Sequence, residues 1–329
     1  MRGLDSMRAI RYYAAVGAAC LAQGCTDPTL PGAGFGAHPV AGVVVASAPL
    51  AFRPFGIAVS RAGTVYVTQL DNASLGVGSA VTAALSGSIA VGNTPTAVAF
   101  DPSGSTAYVT NQLSSNVGVV DVASGGQVAL IPVTGNTFNV IVAPGGDHVY
   151  VTTNSNQVHA ISTASRTVTA SVAVGAAPNG AAFGPGDTLL YVSSFVGGTV
   201  AEINVKGNPF VSRTFVLGDT PQGIAVSPGG DALYVANESG ALDVVDIASG
   251  NVTTPLNFGA GAFGLALTPD GAQLYATLWT AGAVAVVDRA SLTLVKTIST
   301  GGTPRRVAFS PDGLTAVVAS EAGSVIFIR

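Results

Sequence analysis

The chain has 329 residues, of which 48% are hydrophobic and only 9% charged, with a formal net charge of −4. An average soluble domain carries roughly a quarter charged residues. No apolar run reaches the roughly 18 residues of a membrane-spanning helix, so the mean hydropathy of +0.52 indicates strands buried on both faces. The acidic balance, without any basic stripe, argues against nucleic acid as a partner.

Residues 1–24 read as a secretory signal. Arg8 and Arg11 precede the apolar segment "YYAAVGAACLA", and small residues follow. The stretch "LAQGC" resembles a bacterial lipoprotein signal, in which Cys25 is lipidated and becomes the first residue. Leu21 lies one position farther from the cysteine than that pattern prefers, so an ordinary cleaved leader stands as the alternative. Both cysteines, Cys20 and Cys25, fall within the first 25 residues. The remainder therefore has no disulfide and no cysteine nucleophile or metal ligand. Once residues 1–24 are removed, 10 basic and 16 acidic residues remain. Residues 25–39 form a Gly/Pro-rich linker. Its glycines precede no helix, which rules out a phosphate-binding loop.

From residue 40 onward a repeat takes over. Six tyrosines, Tyr66, Tyr108, Tyr150, Tyr191, Tyr234 and Tyr275, recur about every 42 residues. Each follows a segment that starts at an anchor: Pro54, Pro95, Thr137, Pro178, Pro221, Ala262 or Pro304. The gaps between anchors are 41, 42, 41, 43, 41 and 42. After each anchor comes an apolar strand, a turn such as "SPGGD", the Tyr strand, a polar loop and a third strand. A fourth strand completes the first six units. Four short strands and their turns consume about 40 residues, which leaves no room for a helix. The expected fold is all-β, a seven-bladed β-propeller over 40–329 built from four-stranded antiparallel blades. The last unit lacks a fourth strand, and the orphan strand 42–47 is expected to supply it by pairing with 324–328. Ala58, Ala99, Ala182, Ala225, Ala266 and Ala308 stand four places after their anchors. Crowding at the axis is the expected reason. The tyrosines are expected to fill the gaps between blades, their hydroxyls reaching polar groups.

The tetrapeptide "YVTN" at 108–111, with "TPTAVAFDPSG" before it and "VGVVDVASG" after it, resembles the YVTN-repeat β-propeller family of bacterial and archaeal envelope proteins. That resemblance implies seven blades and an extracytoplasmic location, and it implies no shared chemistry. The last repeat departs from the pattern with "VVAS" at 317–320. Trp279 is the only Trp, so the Trp-Asp signature of WD repeats is missing.

Candidate site residues come from the loops at one face. The position after each anchor reads Phe55, Thr96, Phe138, Asn179, Gln222, Phe263 and Arg305, and these seven are expected to ring the mouth of the central channel. They either contact a ligand or cap an apolar channel. Phe195 and Trp279, in loops between second and third strands, extend an aromatic rim. Nine aspartates, among them Asp101, Asp121, Asp288 and Asp312, fit turn chemistry. Asp71 and Glu321 are thin candidates for a hard cation, which needs six or more oxygens. His159 reads as a packed strand residue, and His148 lies at the far end. The expected function is an extracytoplasmic binding or scaffold protein acting through the loop face, with an envelope protein or small ligand as partner. A monomer without cofactor is expected, attached to the membrane by lipid alone. The alternative is a lactonase- or lyase-type propeller enzyme, for which Glu321, Asp71 and Arg305 are the best available set.

Overall fold

Seven innermost strands start at the seven anchors: Pro54–Val59, Pro95–Phe100, Thr137–Val142, Pro178–Phe183, Pro221–Val226, Ala262–Leu267 and Pro304–Phe309. Proline suits a first strand position because no ladder bond is expected from it. In the computed structural model, residues 42–329 are described. The signal, Cys25 and the linker 25–39 lie outside them. Each of the first six anchors is followed by three more strands, which add outward in chain order as an antiparallel sheet. Each innermost strand contacts the next, and the seventh contacts the first. The ring is therefore closed.

Blade seven is built from both ends of the repeat region. Its sheet runs from Pro304–Phe309 through Ala316–Ser320 and Ser324–Ile328 to Val44–Pro49. The closing strand is two residues later than expected from sequence, in the register Ala48 to Val325 and Ser47 to Ile326. Val43 and Arg329 exchange reciprocal backbone hydrogen bonds of 2.8 and 2.9 Å, which prolongs the pairing past the strand ends.

The core lies between the blades. Every interface has its own apolar cluster, such as Tyr66, Leu75 and Ile89 against Val98, Val109 and Val120 between blades one and two. Val65 and Val67 likewise meet Val317, Val325 and Phe327 where blade one meets blade seven. The six tyrosines are all buried, each worth roughly 2–3 kcal/mol of apolar burial. Desolvation by burial pushes Tyr150, Tyr191 and Tyr275 up to about 12. The Tyr191 hydroxyl donates to Glu202 at 3.2 Å.

The structure corrects the reason for the small residue four places after the anchor. Ala58 pairs with Tyr66, Ala99 with Tyr108 and Ala266 with Tyr275 across the first two strands. Paired residues share a face, so the alanine makes room for the ring beside it. The ring then meets a phenylalanine of the next blade: Tyr66 meets Phe100 at 4.8 Å and Tyr275 meets Phe309 at 4.9 Å between centroids. The crowded axial position comes two places earlier, at Gly56, Gly180, Gly223 and Gly264. A Cβ on Gly180 would sit 2.2 Å from the Gln222 carbonyl oxygen, and one on Gly264 2.4 Å from that of Arg305.

The Thr or Ser that stands two places after five of the six tyrosines also finds its role here; after Tyr234 the residue is Ala236. The ladder between the first two strands breaks just after each anchor, which frees a backbone N–H at the axial glycine. A hydroxyl takes it. Gly56 donates to Thr68 at 2.7 Å, Gly180 to Ser193 at 2.8 Å and Gly264 to Thr277 at 2.7 Å. The same hydroxyls donate onward to the next blade, Ser193 to the Gln222 carbonyl at 2.6 Å and Thr277 to that of Arg305 at 2.7 Å. Each such bond contributes about 1 kcal/mol. Together they tie neighbouring blades at the axis, and a valine of the same shape has no donor to do so.

Candidate functional site

Because the residue after each anchor opens an innermost strand, all seven such residues stand at one end of the channel. Three of them converge. Phe55 meets Phe138 edge-on at 6.0 Å and Phe263 at 5.5 Å between centroids. Leu70 and Trp279 pack against this group. The aromatic residues of blades one, three and six thus plug the channel across its width.

Arg305 lies over two rings, 4.8 Å from the Phe263 centroid and 4.7 Å from that of Trp279. Its Nε donates to Glu321 Oε2 at 2.7 Å. The other oxygen of Glu321 accepts from Arg53 at 3.1 Å, and Arg53 also reaches Asp71 at 3.4 Å. Asp71 and Glu321 do approach each other across the seam between blades, as ring closure predicts. A guanidinium already bridges them. Both Glu321 oxygens are engaged by cations, so the pair does not fit a divalent metal. No group of three or more metal-ligating side chains occurs among the described residues.

The opposite side of the mouth is polar. Asn179 Nδ2 donates to Gln222 Oε1, and Gln222 Nε2 donates to Glu238 Oε1 at 2.8 Å. Behind them Arg306 Nη2 donates to Asn179 Oδ1 at 2.9 Å. A directed relay therefore runs from a guanidinium inside the channel, through two amides, to a half-buried carboxylate at the mouth. Each amide can be oriented this way because its two ends find partners of opposite kind.

A cavity of about 400 Å³ lies between the two sides. Phe55, Phe138, Phe195 and Phe263 form its apolar wall. Asn179, Gln222, Glu238 and Arg305 form the polar one. Two sequence expectations need correction. Thr96 turns away from the mouth, its hydroxyl donating to the Phe138 carbonyl at 2.7 Å. It serves the same inter-blade bonding as the tyrosine-strand hydroxyls. Trp279 is half-buried beneath Arg305, so it backs the wall instead of extending an exposed rim. The sequence puts Glu238 in a loop of this face, and the structure adds that it lines the cavity. Its place just past the second strand of blade five was legible, but its inward aim depends on Gln222.

Among the described residues, three turn aspartates and His159 have local partners. Asp121, Asp246 and Asp288 accept the backbone N–H of Ser124, Ser249 and Ser291 at 2.7, 2.7 and 2.8 Å. Hydrogen bonds from the Ser291 hydroxyl and backbone hold Asp288 below the ordinary carboxylate range. His159 is buried, with Nδ1 2.8 Å from Ser171 Oγ and Nε2 3.4 Å from Thr153 Oγ1. Desolvation lowers its pKa, as suits a neutral packed ring.

No family model matches the sequence, and no curated protein matches it. Among solved structures, the chain is similar to hydrazine synthase of Kuenenia stuttgartiensis, with a TM-score of 0.78 and 22% identity. The match covers 84% of this chain and 96% of that one. At that identity the likeness concerns architecture: the two share the β-propeller fold, here with seven four-stranded blades.

Proposed function

We propose that this is an extracytoplasmic binding protein of the YVTN-repeat type, which takes a small ligand at the channel mouth. The observation that carries the reading is the two-sided cavity of about 400 Å³, with four phenylalanines facing an amide–carboxylate wall. Such a site suits a ligand with an apolar body and a hydrogen-bond-donating head, because Glu238 is an acceptor that the relay orients. Export and a lipid anchor at Cys25 are supported by the leader sequence. The lactonase or lyase reading ranks second, because the acids it needs are the ones already bridged by Arg53 and Arg305.

The site is tested by thermal-shift screening of small amines, alcohols and amides against wild type, Glu238→Gln and Phe138→Ala/Phe195→Ala. Saturable stabilisation of wild type that both variants lose is the expected result. Hits that persist in both variants, or no hits at all, would overturn the mouth site. Export is tested separately by fractionating cells that express wild type or Cys25→Ala. Wild type is expected in the membrane fraction after fatty-acid labelling and the variant outside it. An unlabelled wild type would remove the anchor.

A further inference from the structure

One step farther from the mouth along the innermost strands, the axis holds a second cavity of about 190 Å³. Its wall includes the residue two places after each anchor. At six blades that residue is Gly56, Ala97, Asn139, Gly180, Gly223 or Gly264, and at the seventh it is Arg306. Repetition thus isolates one charged side chain in a ring of small or neutral ones.

The partners of Arg306 do not neutralise it. Its Nη2 donates to the neutral Asn179 amide at 2.9 Å, and its guanidinium lies 5.3 Å from the Phe263 centroid. Among the described residues the carboxylates that form ion pairs do so with Arg53, His148, Arg213 and Arg305, and none with Arg306. Its Nε is buried without a hydrogen-bond partner. Asn139, across the cavity, brings no counter-charge; its amide donates to the Asn179 carbonyl at 2.8 Å and accepts from Val140. Desolvation, with the neighbouring Arg305 charge second, brings the Arg306 pKa down to about 10. The group therefore remains charged at neutral pH. Arg306 is half-buried with its Nε sealed from solvent, and a cation so placed gains from an opposite charge close by.

We propose that the axial cavity binds a small monovalent anion of the chloride class against Arg306. One guanidinium balances one negative charge. A divalent oxyanion would bring a second, uncompensated charge into a wall whose other members, among them the glycine backbone, the neutral Asn139 amide and Ile57, Val98 and Ile224, include no second cation. The guanidinium fork presents several N–H donors, and only one is committed to Asn179. The relay to Glu238 already spends the Asn179 carbonyl oxygen on Arg306, which fixes the guanidinium in place. The site shares Arg306 with the relay that orients Glu238, but its test reads the anion directly and does not depend on the ligand proposed at the mouth.

The test is the ³⁵Cl NMR line width of a chloride solution containing the full chain, with Arg306→Gln and Arg306→Lys as variants. Wild type is expected to broaden the line saturably, with the excess reversed by bromide but not by sulfate at equal ionic strength. The Lys variant keeps an excess and the Gln variant loses it. Equal broadening by wild type and Arg306→Gln, or none by either, would mean that water alone solvates the guanidinium, and the proposal falls. If Arg306→Gln fails to fold by circular dichroism, anomalous scattering from a bromide-soaked wild-type crystal decides. A peak against the Arg306 guanidinium supports the site, and density of water only overturns it.

Discussion

The two ends of the channel are built on different terms. At the end away from the mouth, seven turns repeat nearly the same residues. Asp312 accepts the Leu314 N–H at 3.0 Å in blade seven, and Asp270 accepts the Ala272 N–H at 3.0 Å in blade six. The backbone demands a tight turn here, so every copy supplies a glycine at positive φ, from Gly63 in blade one, whose turn has no aspartate, to Gly313 in blade seven. At the mouth the corresponding seven positions carry Phe, Thr, Phe, Asn, Gln, Phe and Arg. Nothing in the backbone requires that variety. The difference teaches where to look in a repeat protein. Positions that agree among copies serve the scaffold, and positions that diverge while sharing one geometric address are free to build a site.

The contrast fails altogether if the axis between the two ends is disrupted. Gly180→Val places a Cβ against the Gln222 carbonyl and 2.9 Å from Ser193 Oγ. It is expected to cost about 3 kcal/mol and to broaden the denaturant transition. A transition matching wild type would mean the inner strands separate easily. Of similar size is Phe55→Ala, expected to cost about 3 kcal/mol, since the plug loses its shared ring. Urea midpoints would measure it. A neutral result would show that the aromatic mouth contributes nothing to the core and exists for recognition alone.

The turn end predicts equality. Asp312→Ala and Asp270→Ala should each lower stability by about 1 kcal/mol or less, a shift of roughly 2–4 °C in Tm. Unequal shifts in melting scans would break the claim that these turns are interchangeable. The smallest effect is on pH dependence. Hydrogen bonds lower the Asp231, Asp288 and Asp312 pKa values below the ordinary 3.8. Their contribution is therefore complete above that value and is lost as pH falls through the lowered folded values. His159 acts at higher pH. Its folded pKa lies below 6.5, so below pH 6.5 the unfolded chain binds a proton that the folded chain refuses. His159→Gln should flatten the decline in stability just below pH 6.5. An unchanged profile would exclude His159 as its source.

The sequence showed much of the scaffold, because Pro anchors, Tyr spacing and Gly turns are local signals that recur in five, six and seven of the seven copies. It also placed six of the seven mouth positions at the cavity, since anchor spacing fixes an address. It did not show direction. Thr96 and Phe138 share an address, yet a hydroxyl can satisfy a carbonyl nearby and a ring cannot. Arg305 and Arg306 are adjacent in sequence, but alternation along a strand sends them to different environments. The Asn179–Gln222–Glu238 relay joins residues of blades four and five, and no window of sequence holds both ends. The alanine opposite five of the six tyrosines, with Ile141 opposite Tyr150, was visible as a pattern, while its cause needed strand register to be known.

The seam in blade seven has a consequence for how the ring is made. Val44–Pro49 is synthesised before any of the blades, and its partner Ser324–Ile328 after nearly all of them. Until that partner emerges, the early strand has no sheet to join and offers open backbone groups to any stray chain. Residues 50–323 must be gathered before the last latch can engage, at an entropic cost that grows only logarithmically with the span. Assembly of this molecule therefore resembles fastening a bracelet, with one half of the clasp waiting throughout translation for the other.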